Sequence, residues 1–324
     1  MARQLKRIEE ANSGFRSLSR RATHLVASVG LLFVLVSSGC ASINVGKKGV
    51  ETASPIDILI LTTERATAAD VLQRLEGVEN SPSPWAGEQP WSRGQLTGSS
   101  DGSVYTIVVG PVEAQGDTDV RSTLKAAAGF WAPRYILVLG TTPAVAYDEP
   151  LGAVGLVTLI CDFELDRFKD LGSLGNCHRP DGGLFAAARS VEEEWETVAT
   201  PETGRTGCSR PRVLKLAALS GNGDLQPDLV ETAMELSEEL HRGLIIERQG
   251  IFVAQAVDEL RHTTREPIGF LMIRGVSEIR GAGARLDGEP EPLRLQKACA
   301  ARDTADFAVE LIRRRWPVSS RTKH

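Results

Sequence analysis

The chain has 324 residues, of which 42% are hydrophobic and 24% are charged, and its formal net charge at neutral pH is −5. A chain of this length can bury a substantial core in one large domain or two, and the composition is that of an ordinary globular protein. Because there is no basic excess to neutralise a phosphate backbone, the protein is not expected to bind nucleic acid.

The first 45 residues differ from the rest of the chain. A basic segment precedes the uncharged apolar run Leu25–Ser42, which is the order found in a secretory signal. Gly39-Cys40 resembles the end of a bacterial lipobox, in which the cysteine is lipidated, although Ser37 stands where leucine or valine is usual. We therefore predict an exported, membrane-anchored protein with residues 1–45 as signal or anchor and Cys40 as the lipidation site. The alternatives are an uncleaved anchor, or a cytoplasmic protein with a mis-called start codon.

Four more cysteines follow, namely Cys161, Cys177, Cys208 and Cys299. None of them is spaced C-x-x-C, so we predict no metal site. In an exported protein, Cys177 and Cys208 would be suited to a disulfide across a polar insert, and free thiols are the alternative.

The elements predicted next follow the linker 46–55 and alternate along residues 56–316. Continuous apolar runs bounded by turn formers predict strands at Asp57–Thr63, Ser103–Gly110, Tyr135–Gly140, Val154–Cys161, Val213–Leu219, Leu244–Ile246 and Ile268–Gly275. Helical spacing predicts helices at Ala66–Leu75, Gly116–Trp131, Leu184–Val198, Pro227–His241, Gln249–Leu260 and Leu293–Arg314. The polar stretch Glu76–Gly102 is predicted to be a loop, 171–211 a polar insert, and 317–324 a tail.

This alternation predicts an α/β fold, a single domain with a central twisted mixed, largely parallel sheet flanked by helices. Ligands of such sheets bind beyond the carboxyl ends of the strands. That rule selects the candidate positions Thr62–Glu64, Gly110, Gly140–Thr142, Ser220–Asp224, Glu247 and Arg274–Glu278.

Several of these strand ends carry a resemblance to a known family. The segments are DILILTTERATAADVLQRL, QGDTDVRSTLKAAAGFWAPRYILVLGTT, LSGNGD, IIERQGIFVAQA and IRGVSE. Their order, from about Ile56 to Trp316, resembles that of the nucleoside phosphorylase and nucleosidase superfamily, of which this chain would be a divergent member.

The resemblance implies cleavage of the N-glycosidic bond of a purine-type nucleoside, by water or by phosphate as co-substrate, with no cofactor. Glu278 would be the catalytic acid that shares a proton with the purine ring, and Glu247 would bind the ribose hydroxyls. Thr141 would line the sugar or nucleophile side, while Ser220 and Asp224 would belong to the base side. The partner implied is a small-molecule nucleoside, and a homo-oligomer is expected because family members often assemble.

Several positions depart from the family pattern. Glu278 stands where aspartate is usual, and the acidic run that supplies the water-activating glutamate of nucleosidases is reduced to Glu64. Val138 replaces the arginine that holds phosphate in bacterial phosphorylases, and Pro143-Ala144 replace a Gly-Gly pair, which removes backbone freedom. A second hypothesis therefore stays open: a catalytically degenerate module that binds a nucleoside, as a surface-anchored sensor or scaffold.

Each candidate residue also has a structural interpretation. Glu278 would be a turn residue or a partner of Arg274 or Arg280, and Glu247 a carboxylate at the positive end of a helix. Ser220 and Asp224 would be turn formers, and Thr141 a cap. The base, the sugar substituent and the choice between hydrolysis and phosphorolysis remain open at this point.

Overall fold

The computed structural model describes residues 54–82, 91–112, 117–145, 151–162, 177–198, 212–221, 233, 237, 243–263, 267–279 and 291–316. The predicted signal with Cys40, most of the linker, Asp224, the tail, and the bounds of the predicted helix Pro227–His241 lie outside these residues. None of the described helices combines the length and hydrophobicity needed to cross a bilayer.

The described residues form ten strands and five helices. The strands are β1 Ile58–Thr62, β2 Glu76–Ser81, β3 Trp91–Thr97, β4 Val104–Pro111, β5 Tyr135–Ala144, β6 Val154–Asp162, β7 Cys177–His178, β8 Val213–Ser220, β9 Gly243–Glu247 and β10 Gly269–Ile279. The helices are α1 Arg65–Leu72, α2 Asp117–Trp131, α3 Gly182–Val198, α4 Gly250–Thr263 and α5 Glu291–Arg315. All seven predicted strands are present with shifted ends, and so are the five predicted helices that fall within the described residues.

The sheet is mixed, and the five parallel pairs among its ten strand pairs join the seven central strands. Strands β4, β1, β5 and β10 lie side by side in parallel, and β6, β8 and β9 form a second parallel group. The two groups meet in antiparallel pairs, β10 with β6 and β5 with β9, which closes β5, β10, β6, β8 and β9 into a ring. The predicted α/β fold with a mixed, largely parallel sheet is confirmed, and the ring explains how strand ends from both groups share one site.

Helices cover both faces of the sheet. One buried apolar cluster joins α2 and α4 to the strands, and a second joins α1, α3 and α5 to them. Burial of this apolar surface is the main force that holds the helices on the sheet. The strands in between are therefore buried on both sides, which is why they are continuous apolar runs in the sequence.

The prediction of a loop at Glu76–Gly102 is wrong, because this stretch contains β2 and β3. Strand β2 is an exposed edge strand whose sequence, EGVENS, lacks the alternation of a half-buried strand. Strand β3 is recognisable only by the buried side chains of Trp91 and Leu96. Trp91 packs over Gly110, where a Cβ atom would lie 1.9 Å from its ring.

The cysteine pairing considered from the sequence is also wrong. Cys177 forms a disulfide with Cys161, not with Cys208, and their Cα atoms are 4.1 Å apart. The two cysteines are directly opposite each other in the antiparallel pair of β6 and β7. Cys208 lies outside the described residues, and connectivity of this kind depends on strand pairing that spacing alone does not reveal.

Candidate active site

Glu247 is the last residue of β9, and its side chain is only 5% exposed. Its Oε2 accepts hydrogen bonds from the backbone N–H groups of Gln249 (3.0 Å) and Gly250 (2.8 Å), and its Oε1 accepts from Gly250 (2.7 Å). These amides begin α4, so the carboxylate lies at the positive end of a helix. Glu247 therefore has the structural role considered from the sequence, whatever else it binds.

Arg274 on β10 is the second part of the site and is 1% exposed. Its Nη2 donates to Glu247 Oε2 (2.9 Å), and its Nη1 donates to Thr63 Oγ1 (3.2 Å). A buried ion pair is costly unless its remaining polar atoms are hydrogen-bonded. Here Nη1 and Nη2 of Arg274 have partners at the ends of β1 and β9, whereas its buried Nε has none among the described residues. The strand-end rule had selected both Arg274 and Thr63 as candidate positions, but the sequence did not predict their contacts with each other or with Glu247.

The hydrogen bonds of Glu247 leave one of its oxygens with spare capacity. Within the described part of the chain, Oε2 accepts from Gln249, Gly250 and Arg274, whereas Oε1 accepts only the N–H of Gly250 that both oxygens share. Since each carboxylate oxygen has two lone pairs, Oε1 has room for a further donor. The arrangement thus fixes the carboxylate and leaves Oε1 able to accept from one more donor.

Gly140 on β5 allows these groups to approach one another. A Cβ atom at this position would lie 1.9 Å from Thr63 Oγ1 and 2.9 Å from Arg274 Nη1. Any side chain here would therefore displace the bond between Thr63 and Arg274. The glycine that the sequence marked as the end of a strand is required for the site to close.

Thr141 and Glu64 bring a second carboxylate to the same place. The hydroxyl of Thr141, the residue after Gly140, donates a hydrogen bond to Glu64 Oε1. Glu64 directly follows Thr63 and precedes α1, yet its side chain makes no capping bond to that helix. Thr141 therefore holds this half-exposed carboxylate. Glu64 is the residue after Thr63, and Thr141 is the residue after Gly140, so the contact lies next to the site of Arg274.

Glu278 lies on β10, four residues beyond Arg274, and is half-buried. The strand does not end at Gly275 as predicted but continues to Ile279, with a one-residue register shift between Val276 and Glu278. After the shift, Glu278 pairs with Pro143, because β5 also continues through Pro143-Ala144. The acid is thus part of a strand end and not of a turn.

Ser220 is brought to Glu247 by strand pairing, since the two residues are opposite each other on β8 and β9. Its buried hydroxyl accepts the backbone N–H of Ile251 at 2.9 Å, so it contributes to the start of α4. Its assignment to substrate binding stays a prediction, as does that of Asp224, which lies outside the described residues.

Other polar groups are engaged away from this site. His178 Nδ1 is 2.6 Å from Asp258 Oδ2, and Arg261 Nη1 donates to Asp258 Oδ1 at 2.9 Å. Within the described ranges, no three His, Cys, Asp or Glu side chains are arranged to hold a metal ion.

Comparison with known proteins gives a clear result for the fold. No family model and no curated protein sequence matches the chain. Among solved structures, the 5′-methylthioadenosine/S-adenosylhomocysteine nucleosidase of Campylobacter jejuni superposes with a TM-score of 0.57 at 15% identity, over 80% of this chain and 99% of that one. The chain has the fold of the nucleoside phosphorylase and nucleosidase superfamily.

Two further structures extend the likeness to the nucleosidase fold. The corresponding nucleosidase of Colwellia psychrerythraea, in complex with adenine, has a TM-score of 0.57 at 17% identity, covering 80% of this chain and 95% of that one. The futalosine hydrolase of Helicobacter pylori has a TM-score of 0.56 at 16% identity, covering 79% of this chain and 97% of that one. The resemblance drawn from the order of strand-end motifs is confirmed at the level of the fold.

Proposed function

We propose that this protein hydrolyses the N-glycosidic bond of purine-type nucleosides. The observation that carries the proposal is the buried pair of Glu247 and Arg274 at the strand ends of a nucleosidase fold, with Glu64 and Thr141 next to it. A catalytic site of this class needs a ribose-binding carboxylate, a base for water and an acid for the leaving group.

Glu247 would bind the ribose. Its Oε1 would accept a sugar hydroxyl, while Oε2 stays with Arg274 and the helix amides. As the bond to the base breaks, positive charge develops on the sugar, and a fixed carboxylate stabilises that charge more than it stabilises the neutral substrate. Arg274 and the helix start fix the orientation of the carboxylate before the reaction begins.

Glu64 would activate the attacking water. Its carboxylate is oriented by the hydroxyl of Thr141. An oriented carboxylate suits the role of the early glutamate in nucleosidases, which is to activate water. Phosphorolysis has less support, because Val138 is 1% exposed within the core at the position of the phosphate-binding arginine. Arg65, a cation that could reach phosphate from the segment after β1, is exposed at the first position of α1.

Glu278 would donate a proton to the departing base. Cleavage leaves negative charge on the purine, and a carboxylic acid within reach of a ring nitrogen neutralises it. A purine base is favoured because nucleosidases are among the structural neighbours, one of them in complex with adenine.

The test is release of free base. We expect purified protein to release purine from at least one ribonucleoside of a panel, at a rate that inorganic phosphate does not change, and we expect Glu64→Gln to slow this release about 100-fold. Liquid chromatography of the reaction mixtures measures both. Release that requires phosphate would exclude hydrolysis, and the absence of release from every nucleoside by folded protein would exclude the enzyme.

One observation favours a second function, nucleoside binding without cleavage. Pro143 is opposite Glu278 in the strand pairing, at a position where the family has glycine. If this pairing keeps the carboxyl from the base, the ribose contacts would remain while proton donation would be lost. Calorimetry that shows tight binding, together with no base release, would support this function.

We also propose that the protein is exported and anchored through Cys40. The disulfide between Cys161 and Cys177 supports this proposal, because structural disulfides are typical of oxidising compartments. We expect the full-length chain to partition into the detergent phase of a cell extract, and Cys40→Ser to move it to the aqueous phase or leave it unprocessed. Cys208→Ser, measured alongside, should match the wild type in both partitioning and electrophoretic mobility; a Cys40→Ser protein that also matches the wild type in both would refute lipidation.

A further inference from the structure

A closed ring of hydrogen bonds, distinct from the ring of strands, passes through the carboxylate of Glu247, and Gln249 completes it. The ring begins at Glu247 Oε2, which accepts the backbone N–H of Gln249 at 3.0 Å. The side-chain Nε2 of Gln249 then donates to the carbonyl of Val112, just beyond β4, at 3.1 Å. Gln249 is thus joined both to the carboxylate and to another strand end.

The ring continues through the end of β1 and returns to the same oxygen. The backbone N–H of Val112 donates to the carbonyl of Thr62 at 2.7 Å. The next residue, Thr63, accepts from Arg274 Nη1, and Arg274 Nη2 donates to Glu247 Oε2. Oε2 is therefore held from two directions, once through β4 and once through β10.

We propose that Gln249 is a positioning residue for ribose recognition, acting through Glu247. This inference rests on the proposed ribose-binding role of Glu247. Val112 is 1% exposed, so its carbonyl needs a donor from the protein, and Gln249 is that donor. Gln249 does not reach the substrate; it fixes the turn from which Glu247 presents Oε1.

Loss of the side-chain amide of Gln249 would release one side of the hydrogen-bond ring and leave the other side intact. The bond from Arg274 and the N–H of Gly250 would still hold Glu247, so the site would loosen without collapsing. A small displacement of a carboxylate that binds sugar hydroxyls weakens recognition of those hydroxyls more than recognition of the base. The expected signature is therefore specific to the ribose.

The experiment compares a purine ribonucleoside that the wild type cleaves with its 2′,3′-dideoxy analogue. In Gln249→Met, which keeps the side-chain length but has no N–H donor, we expect the preference in kcat/KM for the ribonucleoside to fall about fivefold. We expect the fall to come from the ribonucleoside, with little change for the analogue. Amide hydrogen exchange should also become faster at Val112 and Gly250, whose N–H groups belong to the loosened region.

Gln255→Met is the matched control, because it makes the same substitution within α4, the helix that Gln249 immediately precedes, at a residue bonded to Arg121. We expect it to leave the ribose preference and the exchange at Val112 unchanged. An unchanged preference in Gln249→Met would overturn the inference.

If the wild type cleaves no nucleoside, the proposed function fails, and the exchange data still decide whether Gln249 holds the ring. Unchanged exchange at Val112 and Gly250 in the variant would then refute it. If Gln249→Met does not fold, Gln249→Asn, which shortens the side chain by one methylene, gives the same measurements.

Discussion

Glu247→Gln is expected to lower kcat/KM for purine nucleosides about 10³-fold and to lower the free energy of unfolding by about 3 kcal/mol. The first effect follows because the amide removes the negative charge that faces the developing positive charge on the sugar. The second follows because Arg274, 1% exposed, is left without its anionic partner. Base release measures the first effect, and urea unfolding at neutral pH measures the second.

The control for charge removal is Glu259→Gln. Glu259 is exposed and paired with Arg121 and Lys125, so this variant should lose less than about 1 kcal/mol and keep its activity. Arg274→Met should destabilise the protein about as much as Glu247→Gln, and the double variant should lose less than the sum of the two. Strictly additive losses, or full activity in Glu247→Gln, would contradict the buried pair as the centre of the site.

Glu278→Gln is expected to lower kcat/KM for a purine ribonucleoside about 10² to 10³-fold. The glutamine has no acidic proton to give to the departing purine. For p-nitrophenyl ribofuranoside, whose leaving group departs as a stable anion, we expect a loss of less than about 10-fold. Steady-state rates on the two substrates measure the difference.

Glu278→Asp keeps the carboxylic acid and shortens the side chain to that usual in the family. It should retain far more activity than Glu278→Gln if the role is proton donation. Glu79→Gln, on the exposed edge strand β2, is the matched control and should behave as the wild type on both substrates. Equal losses on both substrates in Glu278→Gln would show that the acid does not protonate the leaving group.

The sequence was sufficient to locate the ends of the buried strands. Thr141, Glu247 and Glu278 were selected because each follows or ends a continuous apolar run, and the sheet has these runs as strands β5, β9 and β10. A run of this kind reflects burial on both faces, which is a property of the local sequence. Residues 143–144 and 276–279 were wrongly predicted to lie outside strands. Polar and proline residues there interrupt the apolar pattern, although the backbone is still paired in the sheet.

The contacts between strand ends could not be predicted from the local sequence in the same way. Arg274 meets Glu247 because the ring of strands closes, and Glu64 meets Thr141 because β1 and β5 are neighbours. Both contacts depend on how the strands assemble into the sheet, which the local sequence does not specify. One signal was present for Arg274: a single guanidinium within the apolar strand IGFLMIRG must have a buried acceptor. The expected homo-oligomer stays a prediction.

The most direct measurement is the fate of the oxygen from water during cleavage. Wild-type protein and a purine ribonucleoside are incubated in phosphate-free buffer made with water labelled with oxygen-18, and the products are analysed by mass spectrometry. Hydrolysis predicts free purine together with ribose that carries one labelled oxygen at the anomeric carbon, after correction for exchange measured with free ribose. Folded protein that releases neither purine nor labelled ribose would contradict the account.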